Sequence, residues 1–403
     1  MTNRLSGLDS LRAMACLMIV LHHVGLQTDT GAVGPTGIVL GAFAARGSYG
    51  VVIFFVLSGF LLSLPFWRAF RDRTAMPSLT VYWTRRLARI LPAFYLAMAA
   101  SLLLALVLGV AKADADTASR FAAGILFLSP FSAANFFPVE LNGPLWSIAF
   151  EVFAYAGLPM MFALIAALPN LVSTPVRAGA LVTVVIVLSM ALNALHLGTV
   201  SASNADALAS PLRVLGDEFF ARFSIYGMFA VFACGSLAGA AHVYVATARR
   251  KGGDMIAAIS LLCLAMLTMG LGLDALDIGQ SFAMPYEAFP LLPMAICTFL
   301  VAAPRSVMVG RLLDWGPSRY IAAISFGIYI YHMPILHLVS LWVVGETLTA
   351  SSAAQVWTVM ALTLAATICA AHLSYHRLEQ PCIAWARRLE PRLHSDRSAS
   401  KTA

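Results

Sequence analysis

Charge is what this 403-residue sequence has least of. Asp, Glu, Lys and Arg make up 11% of it, and 60% is hydrophobic, where a soluble chain carries roughly 25% charged residues. So little charge cannot cover a water-facing surface, which excludes the two or three soluble domains that the length alone allows. The formal charge of +7 is not gathered into a basic patch with interleaved aromatics, so no nucleic acid is expected as a partner. Paired cysteines are missing too. Cys16, Cys234, Cys263, Cys297, Cys369 and Cys382 show neither a framework of pairs nor metal-ligand spacing. Five of the six fall inside apolar runs, where a thiol acts as a small hydrophobe. No metal and no bound cofactor are expected, and no repeat, soluble domain or low-complexity linker is visible.

Long apolar runs are what the chain has instead. Crossing about 30 Å of hydrocarbon takes about 20 apolar residues. By that rule helices are expected near 9–27, 49–68, 89–110, 145–168, 178–197, 219–244, 255–273, 284–303, 321–344 and 354–375. The fold class is therefore all-α, a polytopic membrane protein with about ten spans. A further candidate, 121–138, is short and broken by Pro130 and Asn135. The positive-inside rule arbitrates. The 68–89 connection holds Arg68, Arg71, Arg73, Arg85, Arg86 and Arg89, so it is placed in the cytoplasm. If 121–138 does not cross, Arg177, Arg249-Arg250-Lys251, Arg305, Arg311 and Arg319 also fall inside, and Asp274, Asp277 and Glu346 fall outside. Both termini are then cytoplasmic, and 111–144 is an outer re-entrant or interfacial segment of a membrane domain over 1–376. Residues 377–403 read as a basic cytoplasmic tail lying against anionic headgroups. The first apolar run carries Arg12, His22 and His23 and lacks a convincing cleavage site, so it reads as a retained helix.

Ionisable residues inside spans cost ~2.5 kcal/mol or more each on insertion scales, so each needs a reason. Arg12 and His23 are eleven positions apart, which leaves them about 20° apart on one helix face and about 16 Å apart along its axis. Asp9 adjoins that face and can pair with Arg12, whereas His22 points elsewhere. One reading is an Arg that snorkels to headgroups and a His bonded to backbone; the other is a functional stripe. In Pro144-Leu145-Trp146-Ser147-Ile148-Ala149-Phe150-Glu151 the proline marks a helix start. Entry from outside puts Glu151 about 10 Å down, level with His23, and Ser147, Glu151 and Tyr155 share a face. Glu151 is then either bonded to a facing Arg or set to orient and charge-stabilise an imidazole; the matched depth favours the second, so Glu151 is expected as a catalytic partner of His23. Arg85, Arg86 and Arg89 are either a positive-inside anchor or phosphate ligands. Ser325, Tyr329 and His332 share a face, with His332 near mid-membrane and Pro334 a kink; here a cross-helix hydrogen bond and a substrate-pocket role are both open.

Several stretches together resemble the acyltransferase 3 family of membrane proteins. They are Leu8-Asp9-Ser10-Leu11-Arg12 leading to His23, Phe54-Phe55-Val56-Leu57-Ser58-Gly59-Phe60, and the run from Arg85 to Pro92. Leu145-Trp146-Ser147 ending at Glu151, the stretch from Ser325 to His332, and Glu379-Gln380-Pro381 complete the set. The match runs in order through most of the chain; Leu378 and Ile328 depart slightly from the usual wording. The resemblance implies transfer of an acyl group, often acetyl, from acyl-CoA to a hydroxyl of a sugar, glycan or lipid-linked glycoconjugate. It implies His23 as the catalytic group, Arg12 as required, and Arg85, Arg86 and Arg89 as the donor cluster. Ser58, Ser147, Tyr155, Ser325, Tyr329, His332, Asp9 and Glu379 are supporting polar positions. Some relatives carry a fused extracytoplasmic hydrolase-like domain; a chain ending soon after its last span is expected to act alone. The bacterial inner membrane is the expected location.

His23 suits a general base, since imidazole titrates near neutrality; a covalent acyl-His intermediate is the alternative. The rival from another class is a proton-coupled transporter or flippase of a glycan or drug, which also uses intramembrane Arg, His and Glu. Against it, no inverted repeat and no matching pair of broken helices is visible.

Overall fold

The computed structural model describes residues 5–169, 174–201, 219–220, 222–245, 251–270, 290–313, 315–345 and 348–399. Fourteen α-helices carry these residues, and the one extended pairing among them is an isolated bridge between Thr28 and Ala350. In chain order they are α1 Leu8–Leu26, α2 Thr36–Arg46, α3 Tyr49–Asp72, α4 Leu79–Val107, α5 Ala115–Ile125, α6 Trp146–Ala167 and α7 Pro175–Ser201. There follow α8 Ile225–Tyr244, α9 Lys251–Thr268, α10 Leu291–Ala302, α11 Met308–Leu313, α12 Gly316–Val344, α13 Ala353–Ser374 and α14 Gln380–Ala399. Eight helical stretches among the described residues are long and apolar enough to cross a bilayer. The chain is an all-α, multi-pass membrane protein. Arg249, Arg250, Asp274, Asp277 and Glu346, used above to orient the loops, lie outside the described residues.

The start of α4 differs from expectation, and two further segments gain detail. α4 begins at Leu79, ten residues before the expected start at 89, so Arg85, Arg86 and Arg89 stand on a helix rather than at its mouth. The arginines interrupt the apolar run that the length rule counts, but Arg is a good helix former. The 121–138 stretch forms no continuous helix: α5 stops at Ile125, and three-residue 3₁₀ turns follow at Ser129–Phe131 and Ala133–Asn135. Arg120 fixes this segment by pairing with Asp116 (3.0 Å) and Glu140. Within the stretch read as a basic tail, residues 377–399 are helical. α13 passes through a π-turn, Tyr375–Glu379, into α14, which packs on α4. Arg85 grips Glu390 with both arms, Nε at 2.7 Å from Oε1.

Close helix contact rests on small residues, as expected where lipid is no less apolar than a side chain. α3 and α8 touch backbone to backbone. A Cβ on Gly59 would lie 1.9 Å from the Phe232 oxygen, and one on Gly235 would lie 1.9 Å from the Val56 oxygen.

Prolines inside helices do the opposite and open donor-less gaps. A proline offers no N–H to the carbonyl four residues earlier, and such a group bare in lipid costs several kcal/mol. Pro334 orphans Ile330, and Asn142 Nδ2 donates to that oxygen at 2.8 Å. Pro159 orphans Tyr155, and the Tyr82 hydroxyl donates to that oxygen at 3.0 Å. Two proline sites are thereby tied to two neighbouring segments, both beside the site.

Candidate active site

α1, α3, α4, α6 and α12 bring the polar residues to two spaces that share three arginines, and to one pair of rings. The larger space, about 600 Å³, lies at the end of the bundle where α1, α4 and α12 begin. Its wall carries Arg12, Arg85, Arg86, Arg89, Arg319 and Arg387, against the carboxylates of Asp9 and Glu379. Glu379 is 1% exposed and accepts from Ser374 Oγ at 3.1 Å; the π-turn gives it this aim, and such turns recur at functional sites. Arg85 is held by Glu390. Arg12, Arg86 and Arg89 form no hydrogen bond to a protein acceptor among the described residues, so their forks face the space itself.

Those same three arginines line a narrow second space of about 80 Å³. Phe54, Phe55, Ser58, Ser147, Glu151, Tyr155, Ser325 and Tyr329 form its other walls. Glu151 accepts from Ser58 Oγ (3.4 Å) and from the Tyr155 hydroxyl. The Tyr329 hydroxyl donates to the Pro144 oxygen at 2.8 Å and stands 2.6 Å from Ser147 Oγ. Ser325 Oγ donates back to the Ala322 oxygen at 2.9 Å.

The rings lie beyond Tyr329. His23 Nδ1 is 3.1 Å from His332 Nε2 and 2.9 Å from the Ile19 oxygen. His332 Nδ1 is 2.6 Å from the Tyr329 oxygen. His332 is fully buried, whereas His23 keeps part of its surface open. His22 points away and meets the Ala44 oxygen at 2.7 Å.

The expected partnership of His23 with Glu151 is corrected here: His23 meets His332, and Glu151 faces the arginines. The reason is where α6 begins. Its entry turn, Gly143–Leu145, is tied through Pro144 and Asn142 to Tyr329 and Ile330, near the middle of α12, not at an outer surface. Seven residues on from Pro144, Glu151 is about 10 Å further along, at the arginine end. Sequence reasoning also passed over Asn142, Tyr82 and Arg387, and read Arg319 only as an inside-loop charge. The signal for Asn142 was present, because a mid-helix proline such as Pro334 always leaves one carbonyl needing an outside donor.

Residues 5–375 match the acyltransferase domain that defines the acyltransferase 3 family, and the chain belongs to that family. It is 25% identical over 393 residues to the Bacillus subtilis protein named "Putative peptidoglycan O-acetyltransferase YrhL", covering 93% of this chain and 54% of that one. It is 29% identical over 163 residues to the Staphylococcus aureus "O-acetyltransferase OatA", covering 39% of this chain and 24% of that one. The chain thus spans about half the length of the first relative or less of the second. No solved structure matches it.

Proposed function

We propose that this chain is an O-acyltransferase that moves an acyl group, acetyl in the first place, from acyl-CoA to a hydroxyl of a sugar, glycan or lipid-linked glycoconjugate. The observation that supports the reading is that the arginine space and the narrow space share Arg12, Arg86 and Arg89, and that Tyr329 on the narrow space's wall is bonded through its carbonyl to His332, the partner of His23. Guanidinium forks match phosphate oxygens in geometry and charge. The donor's phosphates would rest among Arg12, Arg86 and Arg89 while the neutral pantetheine arm threads the narrow space. Arg12 and His23 are about 16 Å apart along α1, a gap that an extended arm covers for the most part.

His23 would then take the proton of the acceptor hydroxyl as its oxygen bonds to the acyl carbon. The carbon–sulfur bond breaks, and the CoA thiolate receives the proton, leaving ester and free thiol. In this reading ten crossings put both termini and the arginine end in the cytoplasm of a bacterial inner membrane, with the acceptor approaching from outside. YrhL carries peptidoglycan in its name, which makes a peptidoglycan sugar the first acceptor to try.

The test is turnover of labelled acetyl-CoA by the purified protein in lipid, with mass spectrometry of glycan products. His23→Ala should lower turnover by about 10²–10⁴-fold, the usual share of general-base catalysis. Arg86→Ala with Arg89→Ala should raise the KM for acetyl-CoA far more than that for acceptor, with Lys a poor substitute. A wild type that carries a glycan across a vesicle membrane without consuming acetyl-CoA would return the transporter reading.

A further inference from the structure

The contacts of the two imidazoles fix where their hydrogens sit. A carbonyl oxygen only accepts, so His332 Nδ1, 2.6 Å from the Tyr329 oxygen, bears a hydrogen. His23 Nδ1, 2.9 Å from the Ile19 oxygen, bears one by the same reasoning. In a neutral ring the second nitrogen then holds a lone pair. His332 Nε2 is thus an acceptor, and it lies 3.1 Å from the hydrogen-bearing His23 Nδ1. The chain of donors runs one way, from His23 to His332 to the Tyr329 carbonyl. His23 is left with its lone pair on Nε2, a nitrogen that makes no hydrogen bond to a protein group among the described residues.

Ile19 gives the ring only a shared acceptor on its own helix. Its carbonyl is the helical partner of the His23 backbone N–H, so the side chain shares an oxygen already in use. His332 supplies an uncommitted acceptor on a different helix. It is 0% exposed, so it acts through His23 and not on a substrate.

We propose that His332 is a positioning residue for His23. By accepting from Nδ1 beside the Ile19 carbonyl, it secures the tautomer and fixes the ring plane that turn Nε2 towards the acceptor hydroxyl. The inference deepens the acyl-transfer reading and rests on it for its kinetic consequence. The role is the one a buried carboxylate fills for the catalytic histidine of a serine protease, where imposing the wrong tautomer costs about 10⁴ in kcat. A neutral imidazole fills it here without adding a charge at mid-membrane, where charge is costly. It does so only because its own Nδ1 is committed to Tyr329.

Two readouts test this. In bilayer samples with ¹⁵N- and ¹³C-labelled histidine, solid-state NMR should show His23 and His332 both protonated on Nδ1, with signals assigned by loss in single variants. His332→Leu should move His23 towards the Nε2-protonated form. In the turnover assay His332→Leu should lower kcat by about 10²–10³-fold, below the serine-protease limit because Ile19 remains, and leave the KM for acetyl-CoA within about twofold. His332→Gln sets an amide oxygen near the place of Nε2, and should recover kcat to within about tenfold of wild type. Protonation of His23 on Nε2 in the wild type would overturn the proposal. So would equal losses for Leu and Gln, which mark a packing role, or wild-type turnover in His332→Leu. If the wild type transfers no acetyl group, it is the acyl-transfer reading that fails, and the NMR assignment still decides the tautomer.

Discussion

Replacing Asn142 by leucine should loosen the start of α6 from α12, and the size of the effect can be worked out. The amide Nδ2 donates to the Ile330 oxygen at 2.8 Å and to Ser101 Oγ at 3.0 Å, in a side chain with no exposure. Interhelical hydrogen bonds in bilayers average about 0.6 kcal/mol each by double-mutant cycle. Leaving the Ile330 carbonyl bare adds about 1–3 kcal/mol, because Pro334 has no N–H to give it. Part of that is offset, since Asn142 Oδ1 is itself buried without a partner and leaves with the amide. A net loss of about 1–2 kcal/mol follows. The assay is unfolding of the micelle-embedded protein by titrated denaturing detergent. Its decisive arm is Pro334→Ala, which returns an N–H to the Ile330 carbonyl. In that background Asn142→Leu should cost about 1 kcal/mol less, a coupling well above the few tenths expected of independent sites. Equal costs in both backgrounds would refute the reasoning, for then Asn142 is not answering the proline.

Gly235→Val would drive a branched side chain onto the Val56 carbonyl, where even a Cβ has only 1.9 Å. A loss of about 3 kcal/mol or more is expected, at or beyond the upper end of overpacking, in the same unfolding assay. Asp254 accepts from Ser306 Oγ (2.7 Å) and from the amides of Met308 and Val309 (2.7 and 3.0 Å), which together hold its carboxyl down at about 2. A depressed value contributes stability above the ordinary carboxylate range that is lost as pH falls through about 2. The stability gap between wild type and Asp254→Asn should therefore shrink as pH drops from about 4 towards 2. Glu151→Gln removes the negative charge that shares a wall with Arg12, Arg86 and Arg89. It should lower the KM for acetyl-CoA by up to about tenfold, the order of one charge interaction in this setting. A kcat loss as deep as that of His23→Ala would instead return Glu151 to the imidazole.

The fold class was legible because composition leaves a chain with so little charge no other solvent, and the polar residues announced themselves by their cost in lipid. Arg12, Ser58, Arg86, Arg89, Ser147, Glu151, Tyr155, Ser325 and Tyr329 do line one narrow space. Their vertical order was harder to read. Glu151 was placed by counting from the helix start at Pro144, on the assumption that a membrane helix starts at a membrane surface. α6 starts inside the protein, because 111–144 folds inward and ties Asn142 to mid-α12. Depth along one helix follows from residue counting, as for Arg12 and His23. Depth between helices depends on where each begins, and only tertiary contacts fix that. Helix length failed at α4 for a related reason. The apolar-run rule measures contact with lipid, and the first turns of α4 turn arginines towards a cavity.

The division between the two ends bears on the choice between enzyme and carrier. Charge is concentrated at the arginine end, in a space of about 600 Å³. The space that shares its arginines is only about 80 Å³, walled by Phe54, Phe55 and Tyr329, and the Tyr329 carbonyl holds one of a pair of imidazoles. A carrier must pass its whole cargo through such a neck, and a glycan or a phosphorylated ligand would leave its hydration behind at a cost of many kcal/mol. A transferase asks far less of the same geometry. The phosphates stay among the guanidinium groups, the thin uncharged arm enters, and only a small acyl group travels on. The large charged space and the narrow neck are each what that partition requires, and neither helps a molecule to cross.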